Sequence, residues 1–214
     1  MIRPYFRDRR DAGEQLAEKL PTYRERPGVI VLALPRGGVP VGFAVAEQLG
    51  LPLDIFLVRK LGVPGREELA MGAIASGGVR VLNQEVVGAL NIPDEVIDAI
   101  AGKEQRELER RERAYRGDRP RPDLTGLVCL LVDDGLATGA SMQAAVAGVR
   151  AHNPREIVVA VPTAAPDTCA LFEAEVDHVV CAVTPEPFFG VGLWYEDFSQ
   201  TTDDEVRHYL KRAR

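Results

Sequence analysis

The chain has 214 residues, 46% hydrophobic and 27% charged, a balance that suits one α/β domain with a substantial core and excludes wholesale disorder. A formal net charge of −6 argues against a broad nucleic-acid surface, and no apolar run is long enough to span a membrane. MIRPYFRDRRD at the amino terminus has no signal-peptide core, and Cys129, Cys169 and Cys181 show no paired spacing. The expectation is a cytoplasmic protein with three buried free thiols, not a disulfide frame or a zinc site.

Residues 8–20 (DRRDAGEQLAEKL) place Ala12, Leu16 and Leu20 four apart behind Asp8, which predicts a short amphipathic helix capped by Asp8. VIVLAL (29–34) is a continuous apolar run, the mark of a strand buried on both faces. PRGG follows, and VPVGFAVAEQLG reads as a helix closed by Gly50. LDIFLVR (53–59) predicts a second strand, while MGAIA (71–75) and VRVL (79–82) flank Ser-Gly-Gly as a hairpin.

Residues 93–115 turn helical and highly charged, with Glu107–Arg111 and Glu109–Arg113 as opposite-charge pairs four apart. The expectation is a solvated helical excursion, with a lid or a homodimer contact as the alternative. GDRPRPD then leads to LVCLLV (127–132), a helix near SMQAAVAGVRA, a buried strand EIVVAVPT (156–163), a helix in DTCALFEAE and a last strand HVVCAV (178–183). His152, His178 and His208 are scattered and read as surface or loop-edge residues. Strand and helix alternate, which predicts a single α/β domain over residues 1–214: a parallel sheet flanked by helices, with a helical insertion at about 84–118.

In open parallel sheets, ligands gather where strand ends meet helix entrances. CLLVDDGLATGAS (129–141) sets two adjacent acids, Asp133 and Asp134, at the end of a buried strand. Like charges so close call for something cationic or rich in hydroxyls to meet them. Ala137, Thr138, Gly139, Ala140 and Ser141 follow at a helix entrance, where unsatisfied N–H groups and small side chains make a phosphate cradle. Carboxylates repel phosphate but take sugar hydroxyls, or a magnesium ion (Mg2+) held by those hydroxyls. A phosphate flanked by a diol implies a ribose phosphate.

LLVDDGLATGAS resembles the ribosyl-phosphate signature of the type I phosphoribosyltransferases, and the resemblance covers about residues 28–82 and 125–200. LALPRGGVPVG is similar to the family's pyrophosphate loop, which implies pyrophosphate binding by Arg36, Gly37 and Gly38. LVRKLGVPGREELA (57–70) stands where the family has a mobile basic loop, implying Arg59 and Lys60 at the pyrophosphate, Arg66 on closure, and Lys60 as a catalytic residue beside Asp133 and Asp134. The aromatic segment in PEPFFGVGLWYEDFSQ resembles the family's small carboxyl-terminal hood, at about 185–200, which implies stacking of a nucleobase on Phe189, Trp194 or Tyr195. The helical insertion has no counterpart in the minimal family core.

The resemblance implies an enzyme that uses 5-phosphoribosyl 1-pyrophosphate (PRPP) with Mg2+ and displaces pyrophosphate by a nitrogenous base. Asp133 and Asp134 would contact the metal through the Mg-bound ribose. Ala137 stands where 6-oxopurine enzymes usually carry an acid, and GLATG with VRKLGVPG is closer to the adenine enzymes. GVGLWYEDF instead resembles the 6-oxopurine hood, with Glu196 or Asp197 available to a base amine, so the acceptor base stays open. A regulator that senses PRPP without turnover is the alternative, weighed against by the net charge and the lack of a recognisable DNA-binding segment. Another nucleotide-binding α/β fold ranks last, since no GxxxxGK[ST] is present and no GxGxxG follows a strand.

Overall fold

The computed structural model describes residues 4–213. In chain order its elements are α1 (Arg9–Ala17), β1 (Val29–Ala33), α2 (Gly38–Leu49), β2 (Leu53–Ile55), β3 (Val58–Val63), β4 (Arg66–Ala75), β5 (Val79–Leu82), α3 (Gln84–Ala89), α4 (Asp94–Arg116), β6 (Val128–Val132), α5 (Ala140–Arg150), β7 (Glu156–Thr163), α6 (Pro166–Glu173), β8 (His178–Val183) and α7 (Asp203–Arg212). The opening three residues of the stretch read for a signal peptide, and residue 214, lie outside the described residues.

Five strands run parallel in the order β2-β1-β6-β7-β8. Every residue of β1 and of β6 is buried because side chains alternate between two covered faces. Val31, Ala33, Leu130 and Val132 enter the layer under α1, α2 and α7. Ile30, Leu32, Cys129 and Leu131 enter the layer under α5 and α6. Each fully buried aliphatic side chain contributes roughly 1.5–3 kcal/mol, which makes these central strands the anchor of the fold. From β1 the chain steps outward to β2, and from β6 it steps the other way to β7 and β8. The strand order therefore reverses between β1 and β6, the place where open sheets hold ligands.

LDIFLVR is not one strand. β2 ends at Ile55, and at Val58 the chain enters a separate antiparallel sheet, β3-β4-β5. Leu57 N–H donates to the Ser76 hydroxyl (2.9 Å) and Ser76 N–H donates back to the Leu57 carbonyl (2.8 Å), fixing the break. Phe56 and Leu57 are both buried, so hydrophobicity runs through the junction without marking it. The hairpin through Ser76-Gly77-Gly78 forms, and β4 reaches back to Arg66. Residues 57–70 are thus strand, turn and strand in this structure.

The charged segment docks; it is not a solvated excursion. Ile97, Ala101, Leu108, Glu112 and Tyr115 are buried along one stripe of α4 at spacings of four, seven, four and three. Glu112 accepts hydrogen bonds from the Ser76 hydroxyl (2.6 Å), Arg116 Nη1 (3.1 Å) and Arg121 Nε (3.0 Å). Arg116 also donates to Asp54 (2.9 Å) and to the Ile55 carbonyl (2.7 Å). Buried charges persist when paired in this way, and the network clamps α4 to the junction of the two sheets. Of the two expected pairs, Glu107–Arg111 forms (2.9 Å), whereas Glu109 accepts from Gln105 (2.7 Å).

Cys169 and Cys181 form a disulfide, which corrects the expectation of three free thiols; Cys129, buried in β6, is the free one. α6 packs along β8 and brings the two Cα atoms to 6.6 Å, within bridging range. A spacing of twelve residues along the chain does not reveal that approach. No helix is predicted after residue 200, yet α7 forms there, opened by a capping box between Thr202 and Glu205. Among the described residues, no helix is long and apolar enough to cross a membrane.

Candidate active site

Ala33 of β1 pairs with Val132 of β6, and Leu34 N–H donates to the Val132 carbonyl (2.9 Å). The two strands therefore release their loops side by side. Gly37 and Gly38 press against the acid pair more closely than any other residue could. A Cβ on Gly37 would lie 2.0 Å from Asp134 Oδ2, and one on Gly38 would lie 2.8 Å from the Val132 carbonyl oxygen and 2.9 Å from Asp133 Cα. The Pro35–Arg36 peptide is cis, and α2 starts at Gly38. The Gly38 N–H is occupied by the Leu34 carbonyl (3.0 Å), while those of Arg36 and Gly37 have no acceptor among the described residues.

Asp133 Oδ1 accepts from the Asp134 backbone N–H (2.8 Å), and Asp134 Oδ2 accepts from Arg9 Nε (2.8 Å). The second oxygen of each carboxylate takes no hydrogen bond from the described residues. Burial holds Asp133 well above the usual carboxylate range, and the neighbouring Asp134 charge adds to the rise. Burial raises Asp134 too, with Arg9 opposing it. Arg9 is the cation that the acid pair demands. It starts α1, lies over the Phe198 ring at 4.0 Å and donates through Nη1 to the Ser199 carbonyl (2.6 Å). Nothing local in the sequence singles Arg9 out; the paired acids alone signal that some cation is needed.

After the acids, Leu136 bridges to Ala164 beyond β7 and donates to the Thr163 carbonyl (2.9 Å). Thr168 of α6 donates its hydroxyl to the Ala137 carbonyl (2.7 Å). Gly139 stands at the cap of α5 with φ +76°, and a Cβ there would meet Phe172 at 2.9 Å. Ala137, Thr138, Ala140 and Ser141 are exposed, and the N–H groups of Thr138 to Ser141 have no acceptor among the described residues. The entrance of α5 is thus an open set of donors beside the two carboxylates. Thr168 and Phe172, which buttress it from α6, carry no motif that would identify them.

The cations of the hairpin lie apart from the acids. Arg59 donates through Nε to Glu104 of α4 (2.7 Å). Lys60 Nζ donates to the Glu68 carbonyl (3.2 Å) and approaches its carboxylate (3.5 Å). Neither has a contact with Asp133 or Asp134, and Arg66 is exposed at the start of β4. Arg36 lies 3.7 Å from Asp203 of α7.

The hood also differs from its expected use. Trp194 and Tyr195 are only 6% and 4% exposed and pack with Phe6 and Ala12. Their rings meet Tyr5, Phe6, Phe188 and Phe198, so neither offers an open face for a base. The Tyr195 hydroxyl instead donates to the Asp134 carbonyl (2.6 Å), and burial, with the Asp134 charge, raises its pKa and keeps it a donor. Phe189 is 70% exposed. Val191 packs against Gly135, so the hood touches the strand end that carries the acids.

A sheet switch point, a helix entrance with open N–H donors and an adjacent acid pair meet at one end of the sheet. The model of the phosphoribosyl transferase domain matches residues 8–195, and the chain belongs to that family. Its parallel five-stranded sheet flanked by helices is the type I fold expected from the resemblance. The chain is 50% identical over 208 residues to a Mycobacterium tuberculosis protein, found in two strains and named provisionally as a phosphoribosyl transferase. That match takes in 97% of this chain and 47% of the other, so the chain spans about half the length of the curated relatives it matches. The crystal structure of TT1426 from Thermus thermophilus is similar with a TM-score of 0.86 and 42% identity, covering 97% of this chain and 98% of that one.

Proposed function

We propose that the protein transfers the ribose 5-phosphate group of PRPP to a nitrogenous base, with release of pyrophosphate and with Mg2+ as cofactor. The observation that carries this reading is the set of unpaired N–H groups at Thr138–Ser141, opening beside two carboxylates that each keep one oxygen free. Such a site suits a phosphate and a diol on one molecule. Magnesium fits the donor set: two adjacent carboxylates are hard oxygen ligands for an ion held otherwise by substrate oxygens and water. When bound, it would neutralise charge on the diphosphate that leaves.

In this reading, Ala137 to Ser141 hold the 5′-phosphate and set the ribose over the acids. Asp133 and Asp134 orient the ribose hydroxyls and stabilise positive charge on the ring as the bond to pyrophosphate breaks. The free N–H groups of Arg36 and Gly37 receive the pyrophosphate. For Arg59 and Lys60 to reach it, they must exchange Glu104 and Glu68 for the substrate, which makes hairpin movement part of the cycle. Phe189, the most exposed ring of the hood, is the one assigned to stack on the base.

The test is pyrophosphate release from PRPP and Mg2+, screened over purines, pyrimidines and nicotinate. Release that depends on one class of base supports the enzyme and names its acceptor. PRPP binding without release for every base would favour a sensor. Neither binding nor release would overturn the reading.

A further inference from the structure

We propose that Arg9 is a positioning residue for the ribosyl transfer, fixing the Asp134 carboxylate on one side and the hood on the other. The inference rests on the phosphoribosyl-transfer reading above. Arg9 uses two different nitrogens on two different parts of the chain: Nε on Asp134 Oδ2 and Nη1 on the Ser199 carbonyl. Its guanidinium lies on Phe198, and its side chain is largely buried, as is that of Asp134. Tyr195, also of the hood, holds the carbonyl of the same aspartate. Asp134 is therefore gripped at its carboxylate and at its backbone by groups that also set the hood, leaving Oδ1 for substrate.

A cation that merely neutralised Asp134 would need no such fork. Lysine keeps the charge and can donate more than once, but it has no planar fork to reach the two oxygens from separate nitrogens while stacking on Phe198. The two roles therefore separate on one substitution. If Arg9 positions, Arg9→Lys lowers kcat for pyrophosphate release by about tenfold or more, because small misplacements of a reacting group are costly in rate. KM for PRPP changes less, since the phosphate cradle is untouched, and Arg9→Gln falls further. Thermal unfolding of both variants is followed alongside.

A wild-type kcat in Arg9→Lys would overturn the proposal and leave Arg9 as a counter-charge. Should both Arg9 variants fail to fold, Phe198→Leu keeps the ion pair and removes the stacking face. Its kcat is expected to fall in the same direction, and an unchanged value would overturn the proposal. Wild-type protein that binds PRPP without turnover would overturn a role for Arg9 in the transfer. Wild-type protein that neither binds nor turns over PRPP would remove the functional reading itself. An active wild type with an unimpaired Arg9→Lys would remove this inference alone.

Discussion

Asp133 and Asp134 lie at the end of a buried strand, and each keeps one carboxylate oxygen free of bonds from the described residues. Replacing both by asparagine keeps their size and removes their charge. Asp133→Asn with Asp134→Asn is expected to abolish pyrophosphate release while leaving the far-ultraviolet circular dichroism unchanged; retained turnover would contradict the ribose role. Gly37→Ala introduces a carbon 2.0 Å from Asp134 Oδ2, so either the loop or the acid must move. Activity should fall by about a hundredfold, measured by the same release assay, with a much smaller change in unfolding midpoint. Cys129 has its thiol pushed up to about 12 by burial, so it is neutral and shielded near neutral pH. A thiol reagent should find no reactive cysteine in the folded oxidised protein, and a single one once the chain is unfolded without reductant.

α6 supports the entrance of α5, the proposed phosphate cradle, through Thr168 and Phe172, and the Cys169–Cys181 bridge fastens α6 to β8. Opening that bridge frees a short loop in the unfolded chain, worth up to about 3 kcal/mol of stability. Cys181→Ser should therefore lower the unfolding midpoint, and calorimetry should show weaker binding of ribose 5-phosphate while pyrophosphate binding holds. Equal binding of both would show that the cradle stands without the bridge. α4 is held by a different device. Glu112→Ala would leave the guanidinium groups of Arg116 and Arg121 without one of their buried acceptors, at a cost of about 3 kcal/mol by denaturant titration. Loss of the solvated pair Arg111–Glu107 should leave the same titration almost unchanged, because solvent screens an exposed pair.

Across the whole molecule, what could be read in advance was whatever is continuous along the chain. β1 and β6 are unbroken apolar runs, β7 and β8 are apolar apart from their ends, and the acid pair and the α5 entrance follow one another in thirteen residues. What could not be read depends on distant partners. Arg9 meets Asp134 from another element, Cys169 meets Cys181 through helix-on-strand packing, and composition cannot separate a buried Trp194 from a stacking platform. α4 hides its buried stripe among charges because one member of that stripe is itself a glutamate. α7 buries only Val206 and Leu210, although its Thr202–Glu205 cap is a legible start signal. The β1–β6 ladder has a consequence for how the protein comes into being. It joins partners roughly a hundred positions apart, and loop closure over such a distance comes late and slowly. No nascent fragment ending before β6 can own a working site, since the glycine turn emerges first and waits for its acids. During refolding, substrate affinity should return together with the last cooperative step and never ahead of it.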